Sequence, residues 1–258
     1  MLVNSVIIIL REVLEAALII SVLLAISQQL KVSRLWIFFA LVIGIIGASI
    51  YAVYIEEVSM AMEGVGQEVV NSSLHLLIYS FIVMLIFSIK DRVYYRLMLF
   101  TMVGCVVMAT IREGSEIIIY ISGFVSSPEL FLTVSIGSIV GTGIGISIGV
   151  FFYYLITSMS FNKGIRLALF LLILIAGAMI LQATQLLIQA DIISSQQPLW
   201  NSSSLISERS LFGQMLYALL GYEATPTPIQ VICYIASLFL MTFMTFKTLR
   251  YFNQRGQL

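Results

Sequence analysis

The sequence predicts an all-α integral membrane protein with seven transmembrane helices. Charged residues make up 10% of the 258 and hydrophobic residues 60%, whereas a soluble domain carries about 25% charged residues. Apolar stretches close to the ~20 residues that span a bilayer recur along the whole chain. Lysine and arginine, meanwhile, cluster in alternate loops, which is the pattern that sets orientation.

The first span covers roughly residues 4–28. No positive charge precedes it, and Arg11 and Glu12 interrupt its apolar run, so it reads as a retained helix and not as a cleaved signal peptide. The others cover roughly 35–55, 74–90, 97–124, 131–156, 166–190 and 229–249. The third has room to extend back into 69–73. Together they make one transmembrane domain over residues 1–258, with no separate soluble unit. Cys105 and Cys233 lie far apart in apolar runs and imply no disulfide framework or thiolate site. The net charge of zero says nothing about a nucleic-acid partner, and none is expected; the placement of the charges is the useful quantity.

Lys31 and Arg34 follow the first span, Lys90, Arg92 and Arg96 the third, and Lys163 and Arg166 the fifth. Lys247, Arg250 and Arg255 end the chain, and the opposite loops hold only Arg209. Positive charge favours the cytoplasmic side, so the N-terminus is expected outside and the C-terminus in the cytoplasm.

Two spans carry the same charged motif. Arg11-Glu12-Val13-Leu14-Glu15 recurs as Arg112-Glu113-Gly114-Ser115-Glu116, an offset of 101 residues (112 − 11). Gly44 and Gly145 repeat at the same offset. Since the first and fourth spans run in opposite directions, this predicts a 3+3 inverted repeat. Repeat one covers about 4–90, repeat two about 97–190, an outer loop 191–228, and an added helix 229–249.

Ionisable groups at bilayer depth cost roughly 2.5–3.5 kcal/mol each, so the six in these motifs would cost on the order of 15–20 kcal/mol facing lipid. They are expected to face the protein interior. On a helix, the Arg and both Glu of each motif share one face. Each Arg is expected to pair with one carboxylate and leave the second for a ligand. Four carboxylates and two guanidiniums leave a net charge near −2, in the outer half of the membrane. Such hard oxygen donors suit Mg, Ca, Mn or iron and not Cu(I). The bland alternative is a buried ion-pair lock between helices.

Glu56, Glu57, Glu63 and Glu68 crowd the second loop with no cation among them. They form a candidate outer vestibule that concentrates cations, or a solvated amphipathic loop with Met60 and Met62 in the interface. His75, the only histidine, falls at the outer end of the third span and is expected to hydrogen-bond locally. Gly137, Gly141, Gly145 and Gly149 recur every fourth residue, a smooth stripe for helix packing. In the last outer loop, Ser207 is expected to cap a surface helix that ends at Gly221, with Leu211, Met215, Leu216 and Leu219 on one side. Asn71-Ser72-Ser73 and Asn201-Ser202-Ser203 match glycosylation sequons.

The duplicated motif in the first and fourth of seven spans resembles the oxidase-dependent iron permeases, the fungal high-affinity iron permeases and bacterial EfeU-type transporters. Leu220-Gly221-Tyr222 followed by Thr225-Pro226-Thr227-Pro228 is similar to the family's Gly-Tyr-x-x-x-Pro segment. Glu63-Gly64 matches a Glu-Gly pair only loosely. Val13 stands where the family has Gly, and Gln185-Leu186-Leu187-Ile188-Gln189 where many members carry a His-Glu-x-x-Glu-like stretch.

The resemblance implies a multi-pass permease of the cell membrane that imports iron, as Fe²⁺ or Fe³⁺, and holds no permanent cofactor. Glu12, Glu15, Glu113 and Glu116 would bind the ion, and Arg11 and Arg112 would support them. An extracytoplasmic oxidase, peroxidase or iron-binding protein is an expected partner, and membrane lipid surrounds the chain. Two other readings are a transporter of another divalent cation such as Mn²⁺ and an intramembrane lipid-pyrophosphate phosphatase. The phosphatase reading lacks a Pro-Gly-x-Ser-Arg-Ser-like segment.

Overall fold

Polar residues in the first turns of the third span hide where that helix begins. In the computed structural model, which describes residues 1–208 and 210–254, it starts at Gly66 and not near residue 74. Arg209 and Arg255, two of the charges behind the expected orientation, lie outside the described residues. The long helices are α1 (Leu2–Gln29), α2 (Leu35–Val53), α4 (Gly66–Ser88), α5 (Tyr95–Ser122), α6 (Pro128–Thr157), α7 (Phe161–Gln189) and α9 (Pro228–Gln254). Two short ones, α3 (Ile55–Met60) and α8 (Leu211–Leu220), lie between them. The described residues contain no strand. A helix satisfies its own backbone hydrogen bonds, which a hydrocarbon environment requires.

Six of the helices, α2, α4, α5, α6, α7 and α9, are long and apolar enough to cross a membrane. The 28 residues of α1 extend about 42 Å at 1.5 Å per residue. Pro128 and Pro228 open α6 and α9, at a position where the missing N–H is not needed.

The packing order is set by side-chain size and polarity. Helices α1, α4, α5 and α7 form the centre, with Leu18, Val22, Ile78, Ile82, Met102, Cys105 and Met179 in its core. Around it, α2, α6 and α9 expose bulky apolar side chains such as Phe39, Ile46, Ile139, Phe151, Phe239 and Phe246, an outer surface suited to lipid. The chief partner of α1 is α6, and that of α5 is α2.

The predicted glycine stripe lies on the α1–α6 contact. Gly137, Gly141, Gly145 and Gly149 are all buried, and a Cβ on any of them would fall within 3.0 Å of Ser5, Val6, Val13 or Ala17 of α1. Helix α8 is capped by Ser210, whose hydroxyl accepts from the Gly213 N–H at 3.0 Å, and not by Ser207. Gly221 closes it with φ 66°, a conformation open to glycine. Its Met215 and Leu219 pack on the core and Ala218 is buried, so α8 lies against α1 and α7 and does not float on the surface.

Candidate metal site

Where α1 and α5 cross, the two motifs meet, but their arginines do not play equal parts. Arg11 reaches Glu12 at 2.6 Å with one nitrogen and 2.9 Å with another. Its guanidinium lies over the Tyr217 ring of α8, 5.4 Å from the centroid. Arg112 is buried and contacts all four carboxylates. Its Nη1 donates to Glu12 and Glu15, each at 3.3 Å, and to Glu113, while Nη2 lies 3.2 Å from Glu116. The expected one-to-one pairing within each motif gives way to a single guanidinium at the centre of the cluster. Arginine suits this position because its planar fork presents five donors and stays charged.

Burial grades the acids. Glu12, Glu15 and Glu113 are buried, whereas the Glu116 side chain keeps 23% exposure and faces a cavity of about 510 Å³. The cavity sits at the end of the bundle where α1 and α4 begin and where α5 and α7 end. Glu68, Asn71 and His75 line it from α4, and Gln182, Gln185 and Gln189 from α7. Each trio has i, i+3, i+7 spacing and so occupies one helical face. Of the four acids assigned to a vestibule, Glu68 lines the cavity, while Glu56, Glu57 and Glu63 are exposed elsewhere on the loop.

Several residues have a different place from that expected. His75 is fully buried, because α4 begins nine residues earlier, and neither ring nitrogen makes a hydrogen bond of normal geometry. The backbone of Asn71, one turn earlier, and the Gln182 side chain are polar groups beside the ring. Asn71 is not a surface sequon residue: it is buried, accepts from the Tyr51 hydroxyl at 3.0 Å and donates to Glu116 at 3.3 Å. Gln182, which the sequence reading missed, donates to Glu15 at 3.1 Å. The signal for it was three glutamines on one face of an otherwise apolar helix. The segment that departs from an acidic pattern thus supplies neutral amides to the same cavity.

A second cavity of about 1170 Å³ opens at the other end of the bundle, lined among others by Lys31, Lys90 and Asp91. Buried Leu18, Ile78, Ile82, Cys105 and Met179 pack in the core that separates the two. Carboxylates, amides and an imidazole converging in a buried pocket fit a cation that exchanges water for protein oxygen and nitrogen.

Compared with protein-family models, residues 2–257 match the iron permease FTR1 family. No curated protein and no solved structure matches the chain. With almost its whole length matched, the chain belongs to the iron permease FTR1 family and is a multi-pass membrane permease for metal ions, not an enzyme.

Proposed function

We propose that the protein imports iron across the cell membrane through two inverted three-helix repeats with α9 added. In this reading α1, α2 and α4 form one repeat and α5, α6 and α7 the other. The crosswise pairing of α1 with α6 and α5 with α2 supports it, since exchanging the repeats turns one contact into the other. The N-terminus lies outside, and the cavity beside Glu116 and Glu68 is the outer entrance.

The observation that carries the proposal is the meeting of both Arg-Glu-x-x-Glu motifs around Arg112. Iron, as Fe²⁺ or Fe³⁺, would enter past Glu68 and Glu116 and be held by carboxylates from Glu12, Glu15, Glu113 and Glu116. Arg11 and Arg112 temper the negative charge, so that the ion is bound weakly enough to leave. An extracytoplasmic oxidase, peroxidase or iron-binding protein would deliver it near α8.

The test is metal uptake into proteoliposomes, compared across Fe²⁺, Fe³⁺ and Mn²⁺. Glu15→Ala and Glu116→Ala are each expected to abolish iron uptake while the protein stays folded. Full uptake by both variants would overturn the assignment, and faster uptake of Mn²⁺ than of either iron ion would overturn iron as cargo.

A further inference from the structure

Beneath the cavity, one group of side chains fits a metal ion more closely than the carboxylates alone. One ligand atom each from Glu15, His75 and Glu113 lies within 4.8 Å of the other two, and all three residues are buried. Metal–ligand bonds of about 2.0–2.2 Å to nitrogen and oxygen place such atoms roughly 3–4.4 Å apart, so a small contraction closes the set.

The hydrogen bonding points to the same place. Buried polar atoms are nearly always paired, and leaving one unpaired costs about 1–3 kcal/mol. The Oε1 atom of Glu15 is nevertheless buried without a partner, and the nitrogens of His75 make no hydrogen bond of normal geometry, with the Asn71 backbone and the Gln182 side chain beside the ring. The other Glu15 oxygen already accepts from Arg112 and Gln182. An ion can therefore take the free Glu15 oxygen without breaking either bond. His75 itself lines the cavity, whereas Glu15 and Glu113 lie behind it, so the ring joins the wet vestibule to the deepest acids.

Building on the iron-import reading, we propose that Glu15, Glu113 and one ring nitrogen of His75 form the inner binding site for a transition-metal cation. His75 is its specificity-determining ligand. Carboxylates alone suit Mg²⁺ and Ca²⁺ as well as they suit iron, and imidazole favours the transition metals. One nitrogen among the oxygens thus separates a scarce transition-metal ion from abundant alkaline-earth ions.

Because the chain has a single histidine, the unmutated protein can be tested directly. Full-length protein carrying [¹⁵N]histidine, purified in detergent through a histidine-free tag, is loaded with Mn²⁺ and examined by pulsed electron paramagnetic resonance. A ¹⁵N coupling from a directly bound imidazole is expected. Bound Mn²⁺ without that coupling would overturn the proposal and leave the carboxylate site standing. In parallel, Co²⁺ is titrated against Ca²⁺. His75→Gln is expected to lose Co²⁺ affinity by about tenfold or more with Ca²⁺ binding retained, whereas Glu15→Gln loses both. Equal Co²⁺ affinity in His75→Gln would refute the role of the ring. If wild-type protein binds neither Mn²⁺ nor Co²⁺, or if Glu15→Gln binds both unchanged, the carboxylate reading fails with it.

Discussion

Val13 of α1 sits against Gly145 of α6, where an added Cβ would lie 2.8 Å from the valine Cγ1. In the second motif the sizes are exchanged, with Gly114 on the motif helix and Ala48 Cβ 3.1 Å from the position its own Cβ would take. The departure at Val13 is therefore accommodated by the facing glycine. Gly145→Ala is expected to destabilise the protein by about 1–3 kcal/mol through overpacking, outweighing a helix-propensity gain of at most about 1 kcal/mol. Val13→Ala in the same chain should restore most of the loss. Thermal unfolding in detergent of wild type, the two single variants and the double variant measures the coupling, and a Gly145→Ala protein as stable as wild type would refute it.

Removing the two arginines should have unequal effects. Arg112→Ala strands buried carboxylates and is expected to cost about 3–5 kcal/mol, visible as lost expression or a collapsed melting temperature. Arg11 is 32% exposed and pairs with Glu12, so Arg11→Ala should cost about 1 kcal/mol or less. Equal losses would mean that the contacts of Arg112 do not stabilise the fold.

Gln182 orients Glu15 from α7. Removing such an outer partner typically weakens metal binding 10- to 100-fold, so Gln182→Ala should raise the iron concentration needed for half-maximal uptake by about that factor. Unchanged concentration dependence in proteoliposomes would show that the amide is dispensable.

Outside the spans, the Glu223 carboxyl is pushed up to about 7 by burial, reinforced by neighbouring Glu208. The folded loop holds its proton more tightly than the unfolded chain does, so stability falls as pH rises from the ordinary carboxyl range to about 7 and then levels off. Limited proteolysis of the 191–228 loop should proceed faster at pH 8 than at pH 5. Glu223→Gln should remove most of that difference, and an unaltered pH response in the variant would rule out this carboxyl as its origin.

The charged motif and the four-residue glycine spacing were legible because each has a helical period, and period alone assigns a face. The depth of His75 was not legible because Gln67, Glu68, Asn71 and Ser72 lower the hydropathy of the turns before it, which hides the start of α4 at Gly66. Their polarity is an interior feature here: Asn71 spends its amide on Tyr51 and Glu116. Nothing local separates Arg11 from Arg112, since that difference arises from which helix faces each. Sequence spacing also carried no information on which loop acids reach the cavity, and Glu68 does so because it lies on α4 itself.

The core between the two cavities is built mainly of apolar side chains. A cation leaving Glu15 would meet Leu18, Ile78, Ile82 and Met179, with no carboxylate among the described residues of that core. In the import reading, flux is then expected to be limited by how often the helices repack, on the microsecond-to-millisecond scale of collective motions, and not by diffusion. Such a protein would work as an airlock: it is expected to move ions in counted turnovers, to give no unitary current in a voltage-clamped bilayer, and to let the membrane potential persist.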